Sequence, residues 1–232
     1  MEIIPVIDLL SGQVVRAQRG ERGNYRPIRS SLCDSSLPED IAHALLELYP
    51  FKSLYIADLD AIQGLGNNLD IVAALRQRFA HIELWLDAGI THSRQLATLS
   101  KMGLTGVIGS ERLDTLEQLQ QLQARDYDAV LSLDFGSAGF MGPSALLENP
   151  QLWPQRLICM ALAKVGSYEG VDMKNLANLL KLAKGHQIYA AGGVRNTHDL
   201  QHLASLGVSG ALVASALHDG NITAHQLATL MT

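Results

Sequence analysis

Leu86-Asp87-Ala88-Gly89-Ile90-Thr91 closes one apolar run, and Met102-Gly103-Leu104-Thr105-Gly106 leads into the next. Between them, Ser93–Met102 carries apolar residues at the spacing of an amphipathic helix. A near-continuous apolar run, a helix and a second apolar run make the pattern of a parallel βαβ unit, whose strands are buried on both faces. The pattern returns in the second half of the chain. Ala190-Ala191-Gly192-Gly193-Val194-Arg195 precedes a helical segment, and Leu206-Gly207-Val208-Ser209-Gly210 leads into a strand. One unit used twice reads as an internal duplication.

Working outward from these units, strands are expected at Ile3–Ile7, Ser53–Ala57, Ile82–Leu86, Gly106–Ile108, Ala129–Leu133, Leu157–Leu162, Gln187–Ala190 and Gly210–Val213. Helices are expected at Pro38–Leu48 after a Ser36 cap, Leu69–Phe79 after Asn68, and Leu116–Gln123. Further helices are expected at Met173–Lys184, Asn196–Leu206 and Thr223–Met231. The segment after Leu133 is punctuated by Gly136, Gly139, Gly142 and Pro143, so it reads as a long loop with a weak or distorted fifth helix. Eight strand–helix units in 232 residues favour a closed barrel over an open doubly wound sheet. The expected architecture is α/β: one (βα)8 TIM barrel over residues 1–232, made of two duplicated half-barrels.

Composition sets the outer bounds. The chain is 47% hydrophobic, enough for a substantial core, and its formal net charge of −5 comes without a long charge run. Binding to nucleic acid or to a membrane surface is not expected from that balance. Cys33 and Cys159 have neither metal-ligand nor disulfide spacing, which suits a reducing cytoplasm. The opening has no basic segment followed by an apolar core, and no run is long enough to span a bilayer.

In such a barrel the chemistry gathers where the C-terminal strand ends converge. Asp8 closes Ile3-Ile4-Pro5-Val6-Ile7, and Asp134 closes Ala129-Val130-Leu131-Ser132-Leu133. Two acids facing each other across one mouth can act as general acid and general base. Gly192 and Gly193 after strand 7, with Ala214 and Ser215 after strand 8, occupy the usual phosphate position, where backbone N–H groups meet an anion. Gly89, Gly109 and Ser110 form the first-half counterpart, but Asp87 and Glu111 stand beside them and would repel an anion. Asp58 and Asp60 flank Leu59, and strand alternation would send them to opposite sides. With Asp8, Asp87 and Asp134 they offer a candidate acidic cluster, although no metal is expected. Lys164, just after strand 6, is a candidate Schiff-base nucleophile if desolvated. Arg16, Arg19 and Arg22, with Gly20 and Gly23, lie in a long first loop that could fold over an anionic ligand, and Arg16 is the candidate contact. His198 and His202 read as surface or packing residues, and Trp85 and Trp153 as structural ones.

Taken together, Ile4-Pro5-Val6-Ile7-Asp8-Leu9, Gly12-Gln13-Val14-Val15-Arg16 and Leu54-Tyr55-Ile56-Ala57-Asp58-Leu59-Asp60-Ala61 resemble the barrels of histidine biosynthesis. Gly89-Ile90, Ser132-Leu133-Asp134, Ala191-Gly192-Gly193-Val194 and the stretch from Gly207 to Leu217 follow in order. The resemblance covers nearly the whole chain and leans toward the ribotide isomerase (HisA) rather than the cyclase. It implies an Amadori rearrangement that opens an aminoaldose and moves a proton between C2 and C1, without a cofactor. It assigns Asp8 as base and Asp134 as acid. There are departures. Strand 6 ends in Met160-Ala161-Leu162-Ala163-Lys164-Val165-Gly166, where the isomerases have Thr-Asp and then Arg-Asp-Gly. Asp87-Ala88-Gly89-Ile90-Thr91 replaces Gly-Gly-Gly-Ile-Arg, and Ala214 replaces a phosphate-cradling glycine. These departures resemble a divergent isomerase-like group of archaea and methylotrophs linked to one-carbon cofactor biosynthesis. The expected substrate is therefore a phosphorylated sugar or ribotide-like molecule other than the usual bisphosphate. Two rivals stay open. One is a lyase or aldolase of one-carbon cofactor biosynthesis using Lys164 with Asp8 and Asp134. The other is a non-catalytic barrel that binds a ligand or a partner protein.

Overall fold

The computed structural model describes residues 1–19, 22–124 and 127–231. Eight parallel strands form the barrel: β1 Glu2–Leu10, β2 Ser53–Asp58, β3 Glu83–Asp87, β4 Thr105–Gly109, β5 Ala129–Gly136, β6 Arg156–Ala161, β7 Gln187–Ala191 and β8 Gly210–Val213. Each pairs with the next in chain order, and β8 returns to β1 with Glu2 opposite Gly210 and Pro5 opposite Val213, which closes the sheet. The outer ring holds α1 Pro38–Leu48, α2 Leu69–Arg78, α3 Ser93–Lys101, α4 Leu116–Gln123, α5 Ala145–Glu148, α6 Met173–Leu182, α7 Thr197–Ser205 and α8 Ala224–Met231. Short helices at Leu59–Gln63 and Ser215–His218 follow β2 and β8 directly. Among the described residues no helix is long and apolar enough to cross a membrane.

Strand alternation sorts the apolar residues into two shells. Ile4, Tyr55, Trp85, Val107, Val130, Ile158, Tyr189 and Leu212 fill the barrel interior. Ile3, Ile7, Leu54, Ile56, Leu84, Leu86, Leu131 and Leu133 face outward and pack with the helices. The helices present paired apolar positions to that layer, such as Leu96 and Leu99 on α3 and Leu200 and Leu203 on α7. The N-terminal end of the barrel is plugged. Trp85 stacks edge-to-face on Tyr189 at 4.9 Å, Arg156 lies over Trp85 at 5.0 Å, and Arg156 pairs with Glu83 at 2.8 Å. Gly210 makes room for Tyr189, since a Cβ there would sit 2.5 Å from the ring. With this end filled, the open end is the C-terminal mouth.

The expected strands lie within a residue or two of the observed ones, except at the two acid-bearing strands. β1 continues past Asp8 to Leu10 and turns back as an antiparallel strand, Gln13–Arg16, which pairs in turn with Arg26–Pro27. Ser11 (φ 51°) and Gly12 (φ 78°) make the left-handed two-residue turn that such a hairpin requires. β5 likewise continues past Asp134 to Gly136 and pairs with Gly139–Met141. Asp8 thus faces Val15 across one hairpin, and Asp134 faces Met141 across the other. The carboxylates sit below the strand tips, inside the rim. At α1 the cap position belongs to Leu37, whose N–H donates to Ser35 Oγ at 3.1 Å, so Ser36 does not cap it. The fifth helix is a single turn, as the glycine-rich spacing suggests.

Candidate active site

Alternation along each strand turns Val6, Asp8, Tyr55, Ala57, Asp87, Asp134, Met160, Ala191 and Leu212 into the mouth, where they line a cavity of about 730 Å³. Its size suits a small-molecule ligand.

Asp8 and Asp134 reach that cavity from opposite sides of the ring. Burial alone pushes the Asp8 carboxyl up to about 7. Among the described residues no hydrogen bond or ion pair reaches it. Asp134 is 4% exposed and also sits at about 7, from a different balance. Burial raises it most. The Ser132 hydroxyl and the Glu111 N–H stabilise its charged form, and the negative charges of Asp87 and Glu111 raise it again. Ser132 Oγ donates to Asp134 Oδ1 at 2.6 Å, and Glu111 N–H donates to Oδ2 at 3.1 Å. Ser110 is fully buried. It accepts from the Asp134 backbone N–H at 2.9 Å and donates to Met141 O at 2.6 Å, which leaves a 3.3 Å contact to the carboxylate. The Ser110 hydroxyl is therefore occupied in fixing Asp134.

Tyr55 stands among the acids. Its hydroxyl donates to Asp87 Oδ2 at 3.2 Å. Burial, then the charges of Asp87, Asp134 and Asp8, hold it protonated well above the usual tyrosine range. Gly109 leaves a gap between two acids: a Cβ there would lie 3.4 Å from Asp134 Oδ2 and 4.0 Å from Asp87 Oδ2. Gly89 lies behind the cavity wall. Its N–H donates to Asp87 Oδ1 at 3.1 Å, and a Cβ would come within 3.0 Å of Ile62 Cα. On this arc the structure brings together carboxylates and their supports.

Gly192, Gly193, Ala214 and Ser215 line the opposite arc. Gly193 has φ +89°, and a Cβ on it would sit 2.3 Å from Gly170 O, so only glycine lets the segment after β6 lie against β7. That segment forms part of the rim. Arg19 N–H donates to Val165 O at 2.8 Å, and Arg19 and Lys164 both pair with Glu169 at 2.7 Å. Arg16 is drawn to Asp219 and to the Tyr168 hydroxyl, outside the main cavity wall. Lys164 is likewise absent from that wall. Gly20 and the Arg22 side chain lie outside the described residues.

Asp58 and Asp60 do not reach the mouth and are not on opposite sides. A helix starts at Leu59, so strand alternation ends there, and both acids converge on Asn68. Asp58 accepts from Asn68 N–H at 2.6 Å and Nδ2 at 2.7 Å, and Asp60 accepts from the same Nδ2 at 2.8 Å and from Ser11 N–H at 2.6 Å. They tie the β1 hairpin to the β2 loop. Among the described residues no three His, Cys, Asp or Glu side chains converge with metal-binding geometry. Sequence reading passed over Tyr55, Met160 and Glu169 as lining residues. Their signal is weak: Tyr55 and Met160 sit inside apolar runs, and only the inward register marks them.

The model for the family described as "Histidine biosynthesis protein" matches residues 2–223. The chain belongs to this family. An uncharacterised protein of Methanocaldococcus jannaschii is 31% identical over 95% of this chain and 94% of its own. Phosphoribosyl isomerase A of Streptomyces coelicolor is 28% identical over 94% of this chain and 93% of its own. An imidazole-4-carboxamide isomerase of Thermococcus onnurineus, whose name carries two 5-phosphoribosyl groups, is 25% identical over 98% of this chain and 97% of its own. Each of these matches spans more than nine-tenths of both chains.

Proposed function

We propose that the protein catalyses an acid/base isomerisation, of the Amadori or aldose–ketose kind, on a phosphorylated sugar or ribotide-like molecule. Asp8 and Asp134 are the proton-transfer pair, and backbone amides near Gly193 and Ser215 take the phosphate. The observation that carries this reading is two carboxyls in one cavity, each at about 7. General acid–base catalysis is most efficient when the pKa lies near the working pH, so one group can start protonated and the other ionised. In the Amadori case, protonated Asp134 gives its proton to the ring oxygen as the C1–O bond opens and an imine forms. Ionised Asp8 removes the C2 proton, giving an enolamine. That proton returns from Asp8 to C1 while the 2-hydroxyl gives its proton to Asp134, which completes the aminoketose and restores both carboxyls, so no redox partner is required. Relatives named as phosphoribosyl isomerases support this reaction class. The aldolase reading is weaker, because Lys164 is ion-paired to Glu169 on the rim.

The test is exchange of the C2 proton in D2O, followed by NMR on a panel of phosphorylated aldoses and aminoaldoses. Asp8→Asn and Asp134→Asn should each slow exchange by ~10²–10⁴-fold with the circular dichroism spectrum unchanged. Exchange at the wild-type rate in either variant rejects the assignment.

A further inference from the structure

Beside the main cavity lies a small one of about 20 Å³, between the β1 hairpin and the short helix Ser215–His218. Val6, Asp8, Val14, Ala214 and His218 stand in its wall, so Asp8 borders both cavities. His218 is 2% exposed. Its Nδ1 meets Ser30 Oγ at 3.0 Å, and its carbonyl accepts from Ser31 N–H at 2.7 Å, so the segment after Pro27 clamps the residue twice. Ser30 Oγ accepts from Leu32 N–H at 3.2 Å, which leaves its own proton for Nδ1. This pattern assigns the imidazole proton to Nε2. Nε2 is buried and makes no hydrogen bond among the described residues. The Val6 backbone flanks that edge of the ring and favours its N–H form, as a carbonyl does, without reaching hydrogen-bond geometry. Val6 is in the wall of the small cavity and Ser30 is not, so the ring turns its Nε2 edge toward that cavity.

A buried N–H without a partner costs free energy, and so does a buried carboxylate. One water between them answers both. Roughly 10–15 Å³ is room for a water, provided two to four polar groups surround it. Here the imidazole N–H, the Asp8 carboxylate and the Val6 carbonyl do so. We propose that His218 is a positioning residue for Asp8: Nε2–H donates to a water in the small cavity, and that water donates to the Asp8 carboxylate. Such a bond favours the ionised form, which is the form a base must have. The proposal rests on the reading of Asp8 as the base, and it supplies an asymmetry that the pair needs. Both carboxyls lie at about 7, and Ser132 and the Glu111 N–H favour an ionised Asp134, whereas the reaction starts with Asp134 protonated. A donor on the Asp8 side restores the required order. The imidazole itself stays neutral. Burial pushes it down to about 4, with Arg16 lowering it further and the Val6 backbone and Asp219 raising it. Above pH 5, therefore, Asp8 is the partner that titrates.

Carbon-13 NMR of the full chain, labelled at the aspartate Cγ, reads the Asp8 titration without any substrate. The Asp8 signal is the one lost in Asp8→Asn. In His218→Phe the Asp8 midpoint should rise by about one pH unit, a tenfold change in its ionisation constant. In His218→Gln, whose amide N–H can take the place of Nε2–H, it should return most of the way to the wild-type value. In the wild type, nitrogen-15 NMR should find the His218 proton on Nε2, with a chemical shift that moves at the Asp8 midpoint. That measurement decides the matter if His218→Phe does not fold. An unchanged Asp8 midpoint in His218→Phe overturns the proposal. So does a rise that His218→Gln shares in full, a His218 proton on Nδ1, or an Nε2 signal that ignores the Asp8 titration. Each of these leaves the acid/base reading of Asp8 and Asp134 standing. Exchange of the C2 proton at the wild-type rate in Asp8→Asn does the reverse: it overturns the role of His218 in catalysis while its link to Asp8 stands.

Discussion

The Asp8 carboxyl keeps its proton in the folded protein up to about 7, whereas its ordinary value is 3.8. Between those pH values the folded state binds the extra proton, so this group makes stability fall as pH rises, and above 7 its penalty is constant. Asp8→Asn removes that penalty. The variant should be inactive yet more stable than wild type at pH 8, by an amount on the order of a few kcal/mol, with the gain shrinking toward pH 4. Urea midpoints across that range measure it, and no gain at pH 8 would mean the carboxyl is solvated. Asp134 behaves differently because Ser132 donates to it. Ser132→Ala removes a bond that favours the ionised form, so Asp134 should titrate at still higher pH, visible as an alkaline shift of its carboxyl infrared band. At this scale the sequence is legible where charge interrupts an apolar run, which is why Asp8 and Asp134 stand out. It is opaque where the partner is remote. Arg16 looks like an anion contact, and nothing local reveals that Asp219 holds it.

At the scale of elements, the strands are readable because both faces of a parallel sheet are buried, and their helices because one apolar stripe packs inward. The hairpins after Asp8 and Asp134 were harder to read. Their added strands are short, and at β1 the decisive signal is the pair Ser11-Gly12 in left-handed geometry. The rim depends on similarly local backbone features. Gly193→Ala places a Cβ 2.3 Å from Gly170 O at φ +89°, so the segment after β6 must move. The expected result is a stability loss of about 1–3 kcal/mol together with weaker binding of inorganic phosphate, measured by thermal unfolding and titration. Unchanged values for both would place the phosphate elsewhere. Glu169→Gln offers the contrast. Its ion pairs with Arg19 and Lys164 are solvent-exposed, and screening leaves such pairs little effect on stability. Its melting temperature should hardly change, so any change in ligand affinity reports the rim directly.

Across the whole molecule, a shared barrel does not settle which substrate it serves, because function is carried by residues placed at the mouth. The match to the histidine-biosynthesis family runs from residue 2 to residue 223, and the residues lining the mouth carry the question of substrate. A ribotide with two phosphates needs an anion site on each side of the ring. Here Asp87 and Glu111 stand on one side, and Ala214 lies on the other. At the end of β6, Met160 and Leu162 supply no hydrogen-bonding side chain to sugar hydroxyls, and each hydroxyl buried without a partner costs about 1–3 kcal/mol. With every 1.4 kcal/mol worth about tenfold, two or three such losses plus charge repulsion remove several orders of magnitude in rate. The protein should therefore show little or no turnover of the two-phosphate ribotide and should fail to restore growth of a histidine-requiring strain that lacks its isomerase. A direct assay with purified protein separates weak catalysis from poor expression. Robust growth, with turnover typical of a primary metabolic enzyme, would mean that the mouth beside Asp87 and Glu111 accommodates a second phosphate.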